Sequence, residues 1–376
     1  MAVRIAPTLA EMATYPFVRL EEARRALVAR GVEVIDFGKG DPNEPTDPMI
    51  RKALVDALPE RAPYPLAVGL PELRDAAAAW CARRFGVELD PEAEIVPTYG
   101  SKEAIFSLAQ VLVDPSSPKR VVVFGEPAYP VYERGALFAG AEVRTLPLVR
   151  DHAFLPDLDA LGDDVAIVWV NYPHNPTGAV APLGFYEDLA SRAEQHDFVI
   201  ASDEAYTELW FDEPPVSALQ VADRSRTIVF QTLSKRSSMT GYRSGFVAAP
   251  PEVISALRAY RPTVGTAPQE FVQRASVAAW NDERHVEETR ARYRAKREVL
   301  LPVLEGNGWG VVASDASMYL WVAVPDEDAL VEQLLERGVL VSPGTFFGPS
   351  GAGYIRFALV PTLEECRRAA AILEEL

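Results

Sequence analysis

The stretch "RTIVFQTLSKRSSMTGYRSGFVAA" (residues 226–249) carries the reading of this chain. Two short apolar runs, "RTIVFQT" (226–232) and "GFVAA" (245–249), enclose a loop of small residues that holds one lysine, Lys235, and a returning arginine, Arg243. Runs that are apolar at consecutive positions predict strands buried on both faces, as in a parallel sheet covered by helices. Lys235 then lies just past the carboxyl end of a strand, where open α/β sheets bind ligands. Thr232 and Ser234 add hydroxyls beside it. The guanidinium of Arg243 suits phosphate oxygens, so the loop reads as a phosphate clamp around an amine. Its plainer reading is a loop with two exposed charges.

The same pattern recurs upstream. "RVVVFG" (120–125), "DVAIVWVN" (164–171) and "DFVIASDE" (197–204) alternate with helical segments such as "KEAIFSLAQVLV" and "PLGFYEDLASRAEQH". That alternation predicts an α/β layer architecture. Each run ends in polar chemistry. "EPAYPVY" (126–132) places Tyr129, whose ring could stack on a planar ligand. "NYPHNPTG" (171–178) presents Asn175 from a turn in which Asn175–Pro176 is a candidate cis bond. "SDEAYTEL" (202–209) puts Asp203 at a strand end with Tyr206 following, and a buried carboxylate needs a cationic partner. "TYGSKEAI" (98–105) opens a helix at Gly100-Ser101-Lys102, where free backbone N–H groups form an anion site.

Singly, each string has an ordinary reading: Asp203 as a helix N-cap, Asn175 in a common turn, Tyr129 in the core, Lys102 on the surface. Jointly they do not. Four successive strand ends carry an aromatic, an amide, a carboxylate with a tyrosine, and a lysine with a phosphate clamp. That set matches pyridoxal phosphate.

Composition bounds the alternatives. The 376 residues, 48% hydrophobic and 24% charged, suit two globular domains. A net charge of −17 with no basic patch argues against nucleic-acid binding. Cys81, Cys366 and four scattered histidines offer neither a disulfide framework nor metal-ligand spacing. With no basic-then-apolar leader and no apolar run of about 18 residues, the chain is expected to be cytoplasmic and not membrane-bound. "GKGDPN" lacks the third glycine of a dinucleotide fingerprint, which counts against a nicotinamide enzyme.

The motifs "GDPNEP", "YPLAVGLPELRDA", "GSKEA", "PAYPVY", "HNPTG", "SDEAY", "TLSKRSSMTGYRSGF" and "YIRFAL" span nearly the whole chain. On them the chain resembles the fold-type I, class I/II pyridoxal-phosphate aminotransferases. The resemblance implies a large domain (46–285) with a mostly parallel central sheet flanked by helices. It also implies a small α+β domain (286–376) joined by the N-terminal segment (1–45). Lys235 is implied as the Schiff-base lysine, Asp203 as the partner of the ring nitrogen, and Tyr206 and Asn175 as neighbours of the ring oxygen. Tyr129 would stack on the ring, and Ser101, Lys102, Thr232 and Arg243 would hold the phosphate. Gly40, Asn175 and Arg356 would meet the substrate, with Arg356 on its α-carboxylate. Tyr64 would reach the phosphate in a partner subunit, which implies a homodimer with shared sites.

"LSKRS", "GYRSGFVA", "YRPTVG", "PQEFVQ" and "HVEETRARYRAKR" further resemble the succinyldiaminopimelate aminotransferases. The implied reaction moves an amino group between glutamate and N-succinyl-LL-2,6-diaminopimelate, in lysine biosynthesis. Aspartate, alanine or aromatic specificity, or C–S β-lyase chemistry, are the alternatives. A distal substrate carboxylate needs a cation, for which Lys39, Arg236 and Arg261 are unranked candidates.

Overall fold

The computed structural model of the chain describes residues 3–10 and 16–376. Its large domain is built on seven strands: β1 (Ile95–Thr98), β2 (Val121–Glu126), β3 (Glu142–Pro147), β4 (Val165–Val170), β5 (Val199–Asp203), β6 (Thr227–Thr232) and β7 (Gly245–Ala248). They lie in the order β1-β7-β6-β5-β4-β2-β3. All neighbours are parallel except β7, which runs antiparallel to both β1 and β6.

The consecutive apolar runs are explained by the two cores this sheet separates. In β2, Val121 and Val123 enter one hydrophobic cluster while Val122 and Phe124 enter the other. Val168 and Val170 of β4 oppose Ile167 and Trp169 in the same way. Successive side chains point to opposite faces, so a strand covered on both sides favours apolar residues at consecutive positions. The expectation of parallel strands fails for "GFVAA". Only residues 233–244 separate β6 from β7, and they are occupied by the short helix Leu233–Arg236 and a one-turn helix at Thr240–Tyr242. Neither helix is long enough to carry the chain back over a face of the sheet to a parallel start, so it doubles back instead.

Chain order places the ligand crevice. From β2 the chain moves outward to β3 at the sheet edge, then returns to β4 and continues through β5 and β6. The reversal between β2 and β4 is a topological switch point, and loops on either side of it part to leave a cleft.

The small domain is an antiparallel sheet of β8 (Gly310–Val311), β9 (Tyr319–Ala323), β10 (Ser342–Pro343) and β11 (Tyr354–Ala358), ordered β10-β11-β9-β8. The helices Arg284–Gly306 and Leu363–Leu373 pack on each other beside it. Ile35–Asp36 pairs in parallel with Val339–Leu340, and Phe37 and Ile35 lie in the core with Leu320 and Phe357. This pairing draws the segment that follows, residues 38–41, across the mouth of the large-domain cleft.

Candidate active site

A cavity of about 490 Å³ opens at the carboxyl ends of β2, β4, β5 and β6. Its walls bring together Ser101, Lys102, Tyr129, Asn175, Asp203 and Tyr206. Thr232, Lys235, Arg243, Gly40 and Arg356 line it as well. Tyr64 is not among them: in its own chain the side chain is fully exposed.

Lys235 sits on the helix Leu233–Arg236, which begins where β6 ends. Thr232 caps it, its Oγ1 accepting the Ser234 N–H at 3.2 Å. The turn is anchored from below by a relay. Ser237 Oγ lies 2.8 Å from His285 Nε2, and His285 Nδ1 lies 2.7 Å from Asp282 Oδ2. A carboxylate only accepts, so Nδ1 carries the proton and Nε2 accepts from the Ser237 hydroxyl. Burial lowers the His285 pKa, which keeps this neutral tautomer in place. Lys235 Nζ donates to the Gly40 carbonyl oxygen. Burial lowers its pKa to about 8; Asp41 opposes the shift, and Arg356 and Arg243 add to it. An amine so placed loses its proton far more readily than a surface lysine.

Asp203 ends β5 and is 4% exposed. Tyr132 Oη donates to its Oδ2 at 2.8 Å, and the Ala205 N–H approaches Oδ1 at 3.3 Å. It caps no helix; residues 205–208 form a turn. Among the described residues no basic side chain pairs with it. Burial raises its pKa to about 6 against the pull of these two donors. A buried carboxylate facing a cavity with no cation of its own is an unfilled half of an ion pair.

Asn171 ties two strand ends together. Its Nδ2 donates to the Asp203 carbonyl at 2.6 Å, and its Oδ1 accepts the Asn175 N–H at 3.0 Å. The Asn175–Pro176 bond is cis, as are Tyr172–Pro173 and Glu126–Pro127. Asn175 Oδ1 then accepts from Arg356 Nη1 at 2.8 Å. Arg356 comes from β11 of the small domain, is 1% exposed, and donates through Nη2 to the Gly38 carbonyl at 2.7 Å. Its guanidinium lies 4.3 Å from the ring centroid of Tyr319 and 4.5 Å from that of Phe347. Tyr206 Oη meets Tyr319 Oη at 2.7 Å. A Cβ at position 40 would clash with Tyr319 Oη, so any larger residue there requires the tyrosine, bonded to Tyr206, to shift.

At the other end is an anion cradle. The helix Ser101–Leu112 begins after Gly100, which has φ 72°, and no side chain caps it. Its first residues, Ser101 and Lys102, line the cavity beside Arg243, which adopts φ 55° and donates to the Thr240 carbonyl at 2.9 Å. A Cβ on Gly100 would come within 2.6 Å of Arg243 Nη2. Burial lowers the Lys102 pKa, with Arg243 and Arg134 adding to the effect.

The three candidates for a distal carboxylate separate. Lys39 lines the cavity. Arg236 does not: it is 2% exposed, pairs with Glu283 at 2.9 Å and lies over the Trp280 ring. Arg261 is fully buried and pairs with Glu103 at 3.1 Å. Sequence reading missed Tyr132, Asn171, Asp41 and Tyr319. Asn171 and Tyr132 stood inside quoted motifs, Asn171 directly after β4 and Tyr132 in the first turn of the helix Val131–Phe138. Tyr319 arrives from the other domain and carried no local signal.

A sequence model of the family described as "Aminotransferase class I and II" matches residues 32–373. This chain belongs to that family.

The aminotransferase is 39% identical over 375 residues to the LL-diaminopimelate aminotransferase of Aquifex aeolicus, covering 96% of each chain. A solved aminotransferase from Neisseria meningitidis superposes with a TM-score of 0.92 at 36% identity, covering 99% of both chains. A probable N-succinyldiaminopimelate aminotransferase from Thermus thermophilus gives a TM-score of 0.88 at 31% identity, covering 96% of this chain and 99% of that one. Aminotransferases of this fold use pyridoxal 5′-phosphate. The site fits it: an unpaired buried carboxylate for a protonated ring nitrogen, an aromatic wall, and at one end a helix N-terminus with an arginine for a phosphate.

Proposed function

We propose that this enzyme moves an amino group between glutamate and the 2-oxo acid of a diaminopimelate, with LL-diaminopimelate as the amino acid. The observation that carries the reaction is the convergence of Lys235, Asp203 and Arg356 on one cavity from β6, β5 and β11. The substrate reading is supported by the names of its relatives, at 39% identity in Aquifex aeolicus and 38% in Dehalococcoides mccartyi. N-succinyl-LL-diaminopimelate is the second reading, supported by the sequence resemblance and the Thermus thermophilus neighbour.

In this reading pyridoxal phosphate supplies an aldehyde that captures amines covalently and a ring that takes up electron density from the substrate carbon. Ser101, Lys102, Thr232 and Arg243 would hold its phosphate, Tyr129 would flank the ring, and Tyr206 and Asn175 would lie near its oxygen. Asp203, ionised beside a protonated ring nitrogen, would hold that proton in place. Lys235, once free, moves the proton that leaves the substrate Cα, acting as base and then as acid. Arg356 grips the α-carboxylate and so fixes which bond at Cα faces the ring.

Arg356→Gln tests that grip: KM is expected to rise by about 100-fold for every amino acid, because all share the α-carboxylate. An unchanged KM would remove Arg356 from the substrate site.

Tyr64 is read as serving the site of a second copy. The neighbouring exposed apolar side chains Val55, Leu58 and Leu66 support a homodimer contact along this segment. Rapid mixing of the loaded enzyme with L-glutamate, LL-diaminopimelate and the N-succinyl compound, following the visible absorbance of the cofactor, tests the substrate assignment. Conversion by glutamate and the free diamine supports the first reading. Conversion by the succinyl compound instead selects the second, and conversion by glutamate alone overturns both. Light scattering on the same sample checks for twice the 41.2 kDa chain mass.

A further inference from the structure

We propose that Lys39 selects substrates carrying a second, distal carboxylate, and that Glu21 occupies its ammonium as an internal stand-in for that carboxylate. The proposal rests on the aminotransferase reading above and names the residue that sets its substrate class.

Position comes first. Residues 38–40 are fastened at both ends to the reacting groups: Arg356 donates to the Gly38 carbonyl at 2.7 Å, and Lys235 donates to the Gly40 carbonyl. Lys39 lies between these anchors and lines the cavity with its side chain 37% exposed. An amino acid with its carboxylate on Arg356 and its amine at Lys235 is thus held against the segment that bears Lys39.

Elimination of the other cations points the same way. Lys235 takes the cofactor and Arg356 the α-carboxylate. Arg243 and Lys102 belong to the phosphate end, where Arg243 and Arg134 both act on Lys102. Arg236 and Arg261 are buried away from the cavity in ion pairs of their own. Among the basic residues lining the cavity, Lys39 is the one left for a second acid.

The present partner of Lys39 is itself a carboxylate. Glu21, on the helix Pro16–Ala29, forms an ion pair with it. That carboxylate is also bonded by Arg24 at 2.9 Å and by Arg25 at 2.9 Å. If Lys39 turns to a substrate, Glu21 keeps both arginines and no charge is stranded. The exchange trades one carboxylate for another at a partly exposed lysine, where the difference in energy is small. A neutral side chain in the substrate offers no such exchange and leaves the Glu21–Lys39 pair closed over that part of the wall.

The test compares L-glutamate with L-norvaline, which has a methyl group where glutamate has its distal carboxylate. In Lys39→Met holoenzyme, the glutamate-to-norvaline ratio of kcat/KM is expected to fall at least about tenfold, through the KM of glutamate. Lys39→Arg is expected to restore most of the ratio. Glu21→Gln is expected to lower the glutamate KM several-fold, and Glu21→Gln combined with Lys39→Met to behave as Lys39→Met alone. The cofactor's visible band and the circular dichroism of each variant establish folding and loading. An unchanged ratio in Lys39→Met overturns the proposal, as does an equal loss on both substrates, which would make Lys39 a support for the 38–41 segment only. Failure of the diaminopimelate assignment leaves this test intact, because neither compound is a diaminopimelate.

Discussion

Lys235→Ala is expected to lower the rate of a single turnover with glutamate by about 10⁴-fold or more while the chain folds as before. The rate loss follows from position. Lys235 is the amine at the end of β6, and its lowered pKa of about 8 makes it the cavity residue suited to take a proton and return it near neutral pH. Stability is expected to hold because Lys235 contributes one hydrogen bond, to the Gly40 carbonyl, while its charge is disfavoured by burial. The turn around it is held by the Thr232 cap and the Ser237–His285–Asp282 relay, neither of which uses the lysine. Melting temperature and single-turnover rate, measured on the same sample, check both halves. A rate within tenfold of the parent would place the base elsewhere.

Asp203→Asn separates charge from shape. The amide oxygen can still accept the Ala205 N–H, and the amide NH2 can donate to the Tyr132 hydroxyl once its proton turns away, so the shape of the site is nearly preserved. What disappears is the anion proposed to hold a proton on the ring nitrogen. Loss of such a preorganised charge is expected to slow removal of the Cα proton by about 10³-fold. The cofactor-free chain should respond in the opposite direction. The folded pKa of Asp203 is raised to about 6 from an ordinary 3.8, so its favourable contribution is complete below the unfolded value. That contribution is lost as pH rises through about 6. Above that pH the ionised carboxylate costs the empty fold on the order of 3 kcal/mol, which the amide avoids. Cofactor-free Asp203→Asn is therefore expected to melt higher than the parent at pH 8, and the gain is expected to shrink toward pH 5. A variant with normal proton removal, or with no pH-dependent gain in stability, would contradict an unpaired anion at this site. The opposed effects share one proposed cause: a buried carboxylate with no cationic partner among the described residues, which the ring nitrogen would supply.

Local patterns settled much of this protein. The runs "RVVVFG", "DVAIVWVN" and "RTIVFQT" announce strands buried on both faces because strand side chains alternate and each face has its own core. Once such strands are parallel, their carboxyl ends share one edge, so Tyr129, Asn175, Asp203 and Lys235 converge without any knowledge of the packing. Chain direction already implied that much.

What only the tertiary structure decided concerns partners that arrive from far along the chain. The sequence offers Lys39, Arg236 and Arg261 as equal cations, and burial separates them: two are locked into ion pairs beneath the surface, while one reaches the cavity wall. Tyr319 and Arg356 come from the small domain, and their contacts with Tyr206, Asn175 and Gly38 depend on how the two domains dock. Hydrophobic periodicity is a local property and can be read within a few residues. The pairing of one buried polar group with another is set by the packing of the whole molecule, and no short window of sequence contains it.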